Sequence, residues 1–173
     1  MAGSDTFSTY IAPGDLAAAD PNGICTTQTP GGAVDLTING ALTSGGVATL
    51  VPARNVTITS GGSSETGKTF TVTGTATDGT AVTEAIAGPG GSATVSTTAL
   101  FETVTQVAVD GATSGAVTVG SGTTVNQVVF AGRTRLRGIY FVNSAAAGVL
   151  DFKNGASNGT TVMQLMTSGT AST

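Results

Sequence analysis

The stretch Gly62-Ser-Ser-Glu-Thr-Gly67-Lys68-Thr69 fits the G-x-x-x-x-G-K-[ST] pattern of a phosphate-binding loop. Such a loop works when a strand leads into it and a helix leads out, because the helix N-terminus offers free amides and a positive dipole end to the phosphates. Val56 to Thr59 alternate and supply the strand before it. On its C-terminal side runs Phe70-Thr-Val-Thr-Gly-Thr75, a β alternation of poor helix formers. The expectation is a hairpin loop with no affinity for ATP.

Other chemistry is limited by what the chain contains. Its 173 residues include no histidine, no tryptophan and a single cysteine, Cys25. A nucleophilic triad therefore lacks its imidazole base, and nothing marks a serine elbow that Lys68 or Lys153 could activate. Zinc would lack ligands. The ten acids are scattered, without the pairing that glycoside hydrolysis needs. Asp15 and Asp20, or Asp78 and Asp110, are too isolated to claim a calcium site and read as solvated turn carboxylates. Asn55-Val-Thr57 and Asn158-Gly-Thr160 match glycosylation acceptors, and in so threonine-rich a chain they read as chance matches. The residues point away from an enzyme, with no cofactor and no metal.

One cluster of side chains stands out as a contact surface. Arg133, Arg135 and Arg137 alternate, and on a strand all three share a face. Arginine forms bidentate pairs with carboxylates, so this stripe is a candidate grip on an acidic partner, set against the plainer reading of a solvated strand face. The whole chain has a formal charge of −4, which disfavours nucleic acid as partner. The N-terminus has neither the basic nor the apolar segment of a secretory signal. No apolar run reaches membrane-helix length, and eight aromatics (six Phe, two Tyr) are few for the girdles of a membrane barrel, so no membrane association is expected.

The elements that must position these residues are strands. Threonine, valine and alanine recur in short alternating runs, and threonine suits a pleated surface. The pattern predicts strands near 33–38, 47–51, 54–59, 69–76, 80–87, 93–97, 101–109, 116–119, 125–130, 134–142, 149–153 and 161–166. Asp78-Gly79, Asp110-Gly111, Asn154-Gly155 and Asn158-Gly159 mark turns. The alternation slips at Thr83 to Ile86 and at Val104 to Val107, which predicts a β-bulge at one of them or a strand apolar on both faces. Residues 1–30, with Pro13, Pro21 and Pro30, read as an extended arm. The expected architecture is all-β: a sandwich or partly open barrel over 31–125, then a smaller β segment over 126–173 that packs on the preceding domain or is completed by a neighbouring copy.

Asp20-Pro-Asn-Gly-Ile-Cys25, Arg54-Asn-Val-Thr-Ile-Thr-Ser60, Phe70-Thr-Val-Thr-Gly-Thr75, Asp78-Gly79, Gly88-Pro89 and Val107-Ala-Val-Asp-Gly-Ala112 together resemble small virion structural proteins of tailed bacteriophages. The likeness covers roughly 20–120, and 133–173 is similar in style to β modules of such proteins. It implies an assembly component, either a capsid decoration (cement) protein or a head or tail accessory protein; the expectation is a decoration protein that binds the major capsid or other virion proteins and ties subunits together. It carries no catalytic residue with it. A homo-oligomer is expected, a trimer by preference, made in the host cytoplasm and ending in the virion. A tail or fibre component, or a secreted adhesin-like β domain, stays open as the alternative.

Overall fold

The computed structural model of the chain describes residues 18–126, 148–154 and 159–167. Ten strands are found there and no helix. They are β1 (Asp20–Gln28), β2 (Val34–Asp35), β3 (Thr43–Ser44), β4 (Val47–Ser60), β5 (Thr69–Thr75), β6 (Ala81–Ala87), β7 (Thr94–Val109), β8 (Val117–Asn126), β9 (Gly148–Asn154) and β10 (Thr160–Thr167). The fold is all-β, as the alternation predicts.

The first eight strands form one antiparallel sheet in the order β1-β8-β4-β7-β5-β6, with β2 on β7 and β3 on β4. The sheet does not close into a barrel; it folds over itself. The reason lies in β4 and β7, which are each too long and too irregular to stay in one layer. The end of β4 pairs with the start of β7 (Ile58↔Val95), whereas the start of β4 pairs further along β7 (Ala48↔Val104). Between these blocks the register jumps: Thr49 faces Thr103 but Arg54 faces Phe101. Pro52 sits in that jump, where a residue without an N–H costs the ladder nothing. From Thr103 onward β7 also pairs with β5 along its other side. One layer thus holds β1, β8 and the adjoining halves of β4 and β7. The other holds the second half of β7 with β5 and β6.

Both layers feed a single core. Ile24, Cys25, Val56, Ile58, Val117 and Val119 come from the first, and Phe70, Val72, Val107 and Val109 from the second, all nearly or fully buried in one cluster. Phe101 lies at the fold between them and is fully buried. With so few aromatics, the inner faces are filled by β-branched residues at strand spacing, which suits a thin two-layer core.

The two seams of this sandwich are closed differently. On the β1 side, the segment after β2 crosses from layer to layer. Leu36 N–H donates to the Val107 carbonyl at 2.8 Å, Gly40 N–H to Ile24 at 2.9 Å and Leu42 N–H to Gly23 at 2.8 Å. On the opposite side, β6 and the start of β7 share no ladder. There Glu84 reaches across, its carboxylate accepting the N–H groups of Thr98 (2.9 Å) and Ala99 (2.6 Å).

Several expectations need correction. The arm over 1–30 ends sooner: residues 20–28 are β1, paired with β8 and contributing Ile24 and Cys25 to the core. The expected strands at 47–51 and 54–59 are one bent strand, as are those at 93–97 and 101–109. A bulge does lie in 104–107: Thr73 faces Gln106 while Gly74 faces Val104, leaving Thr105 extra. Gly74 is required there, because a Cβ would collide with the Thr103 carbonyl oxygen. β6 by contrast pairs with β5 in unbroken register, with Val82, Glu84 and Ile86 all on its inner face. β9 and β10 form a sheet of their own. Residues 1–17 and the strand expected at 134–142 lie outside the described residues.

Truncating Phe101 removes the largest side chain at the fold line. Phe101→Ala is expected to lower unfolding free energy by about 3–5 kcal/mol, read from urea denaturation. A loss below about 1 kcal/mol would mean that the two layers do not share this core.

Candidate functional site

The phosphate-loop match occupies residues 62–69, and its acid is bound within the chain. It leads into β5, not into a helix. It is also no hairpin, because β4 and β5 lie on either side of β7 and the loop passes between the layers. At its centre Glu65 is 1% exposed. One carboxylate oxygen accepts the Gly115 N–H at 2.8 Å and the other the Ser114 N–H at 2.9 Å. Its own N–H donates to the Pro89 carbonyl, and its carbonyl accepts from Lys68 N–H, both at 2.8 Å. Gly88 packs so tightly below it that a Cβ would strike the Glu65 carbonyl. A single buried acid therefore joins the loops that follow β4, β6 and β7. Asp78 and Asp110, expected as solvated turn carboxylates, are exposed at their turns; Glu65 is a buried acid that the sequence reading did not single out.

Lys68 and Thr69, the residues that would meet phosphate and magnesium, serve Asp110 instead. Hydrogen bonds from the Thr69 backbone and hydroxyl, and then the nearby Lys68 ammonium, hold the Asp110 carboxyl below the ordinary carboxylate value of 3.8. Asp78 is lowered in the same sense by the Thr80 hydroxyl (2.6 Å) and the Thr80 N–H (3.0 Å), which close the turn between β5 and β6 around Gly79. Burial pushes the Cys25 thiol up to about 12, so it stays protonated and unreactive at neutral pH.

The other buried polar residues obey the same rule. The Arg54 guanidinium donates to the Ala18 and Gly122 carbonyls, both at 3.3 Å. Asn55 is 7% exposed and accepts the Thr124 N–H at 3.0 Å, so its glycosylation match is buried architecture. Asn158 lies outside the described residues. The Thr97 hydroxyl accepts Val56 N–H at 2.9 Å and donates to the Ala99 carbonyl at 2.9 Å, filling the ladder where β7 carries two extra residues. Among the described residues no buried side-chain nitrogen or oxygen lacks a partner.

Among the described residues, no three acids, thiols or imidazoles gather as metal ligands, and no helix is long and apolar enough to cross a membrane. An open depression of about 260 Å³ lies where β1, β8, β4 and β7 adjoin, lined by Pro21, Asn55, Thr57, Thr59, Ser96 and Thr123 among others. Its lining offers hydroxyls and an amide but no acid or base. It can hold hydrogen-bonding groups and cannot move protons. Arg133, Arg135 and Arg137 lie outside the described residues. No protein-family model, curated protein or solved structure matches this chain.

The two bridging glutamates should differ in worth. Glu65→Ala strands two amides away from water and is expected to cost about 3 kcal/mol. Glu84→Ala frees amides at a more open seam, where water replaces the carboxylate, and is expected to cost about 1 kcal/mol. Equal losses in denaturant titrations would reject this ordering. Asp110 and Asp78 are both lowered, so their contribution is present above the unfolded carboxylate range and is lost as pH falls through their folded values. NMR titration should place Asp110 below 3.8, and Lys68→Met should raise it; an unmoved midpoint would remove Lys68 from the account.

Proposed function

We propose that this chain is a non-enzymatic structural protein of a virion. In this reading it is a capsid decoration protein that binds the outer shell and ties neighbouring subunits together. The observation that carries the reading is the outer face of the β5–β6 layer. Thr69, Thr71, Thr73 and Thr75 line one strand and Ala81, Thr83, Ala85 and Ala87 the next, in unbroken register. These positions carry small side chains and no charge. Placing this face against another protein removes hydroxyls and methyls from water, at far lower cost than removing ions.

The allocation of acids supports the same reading. Glu65, Glu84 and Asp110 hold backbone and loop groups of their own chain. The resemblance of residues 20–120 to small phage virion proteins gives the partner: a repeating capsid surface. Repetition lets modest contacts sum, since each copy binds beside others already held. Arg133, Arg135 and Arg137 would add a contact with an acidic patch on the partner.

The test mixes purified protein with empty heads of a tailed phage and sediments them. Tens to hundreds of copies per particle are expected. Arg133→Ser, Arg135→Ser and Arg137→Ser together should weaken attachment more at low salt than at high salt. A few copies on an elongated tail appendage would favour the tail or fibre reading, and binding to a glycan by the isolated monomer would favour the adhesin.

A further inference from the structure

The geometry points to the outer edge of β6 as a strand-addition site, and to the β9–β10 hairpin of a second copy as the element that occupies it. This deepens the assembly reading above and rests on it, by naming how copies join one another.

β6 is the last strand of the main sheet, and among the described residues nothing pairs with its outer side. Natural sheets guard such edges with charge, proline, bulges or a covering segment. The β1 edge has such a cover, the segment that sends Asn39, Gly40 and Leu42 N–H groups onto it. β6 has none. Its seven residues pair with β5 without a shift and include no proline. Its one charge, Glu84, is turned inward onto Thr98 and Ala99. Among the described residues the edge is therefore unbroken in register, neutral and uncovered.

The hairpin has the complementary deficiency. β9 and β10 form a two-stranded sheet with no third described strand. Two strands alone are marginal in water. β10 contains no charged residue over its eight positions, close to the length of β6. Phe152 faces Met163 and Leu150 faces Leu165, so the hairpin carries an apolar row that is half-buried. Laid beside β6, that row extends the inner line of Val82 and Ile86. The contact joins two different surfaces, so successive copies form a closed ring or a filament, and two copies that exchange hairpins reciprocally would close the smallest assembly of this kind.

The experiment uses two full-length variants, Thr83→Cys on β6 and Gln164→Cys on β10, both at exposed positions. The native thiol, Cys25, is fully buried and does not compete. A short bismaleimide is added without any phage particle present, and circular dichroism confirms that each variant is folded. The expected result is covalent dimer in the mixture and none in either variant alone. Dimer from Thr83→Cys alone would mean that β6 pairs with itself and would overturn the proposal. So would closure within single chains of a Thr83→Cys/Gln164→Cys double variant, or no product at all. As a second arm, Thr83→Lys with Ala85→Lys should raise the concentration needed for self-association at least tenfold by sedimentation velocity; an unchanged value counts against β6. Because particles are absent, loss of self-association and loss of capsid binding are read separately.

Discussion

The structure depends on two strands that belong to both layers. β4 and β7 pair with each other along three blocks, and the register jumps twice, between Thr49 and Arg54 and between Asn55 and Thr57. Each jump takes backbone groups out of the ladder and turns them toward the interior, where an unmet amide or carbonyl is costly. The chain answers with polar side chains placed at those points. Thr97 completes the ladder at one jump, and Arg54 and Asn55 reach the neighbouring β8 region near the other. Without these bonds a sheet of this length would stay open, and Phe101 and its neighbours would face water.

The same constraint explains why the candidate chemistry is architecture. The most suggestive motif contains an acid, a lysine and a threonine at phosphate-loop spacing. Glu65 holds two amides of the loop after β7, and Lys68 and Thr69 hold Asp110 in that loop. The spacing is that of a loop which must cross between layers and be pinned at both ends. A chain with sixteen charges, six basic and ten acidic, has few side chains strong enough for such pinning. Among the described residues it uses Glu65, Lys68 and Asp110 in its loops and Glu84 at the seam between β6 and β7, and the outer faces of β5 and β6 carry threonine and alanine.

Much of the fold is legible in the residues. Alternation at Phe70 to Thr75 marks β5, Asp78-Gly79 marks its turn, and the slipped phase at Val104 to Val107 marks a true bulge. The illegible part depends on distance. β1 has only Ile24 and Cys25 as apolar signals, adjacent instead of alternating, and two register shifts against β8 let both reach the core. With Pro21 and Gly23 ahead of that pair, the segment reads as loop. The joining of two short predicted strands into β4 is hidden by Pro52, which breaks the local pattern but not the strand. The role of Glu65 is invisible to local reading, since its partners lie about fifty positions away in the chain.

The hydroxyl-clad exterior has a consequence for the medium in which the protein works. Ionic side chains keep a protein dispersed through fields that dissolved salt collapses within about 10 Å at 0.1 M ionic strength. Threonine hydroxyls, such as those along β5, hold their hydration by hydrogen bonds, which counter-ions do not screen. The hydration of those faces is thereby less sensitive to ionic strength than that of a charge-covered surface.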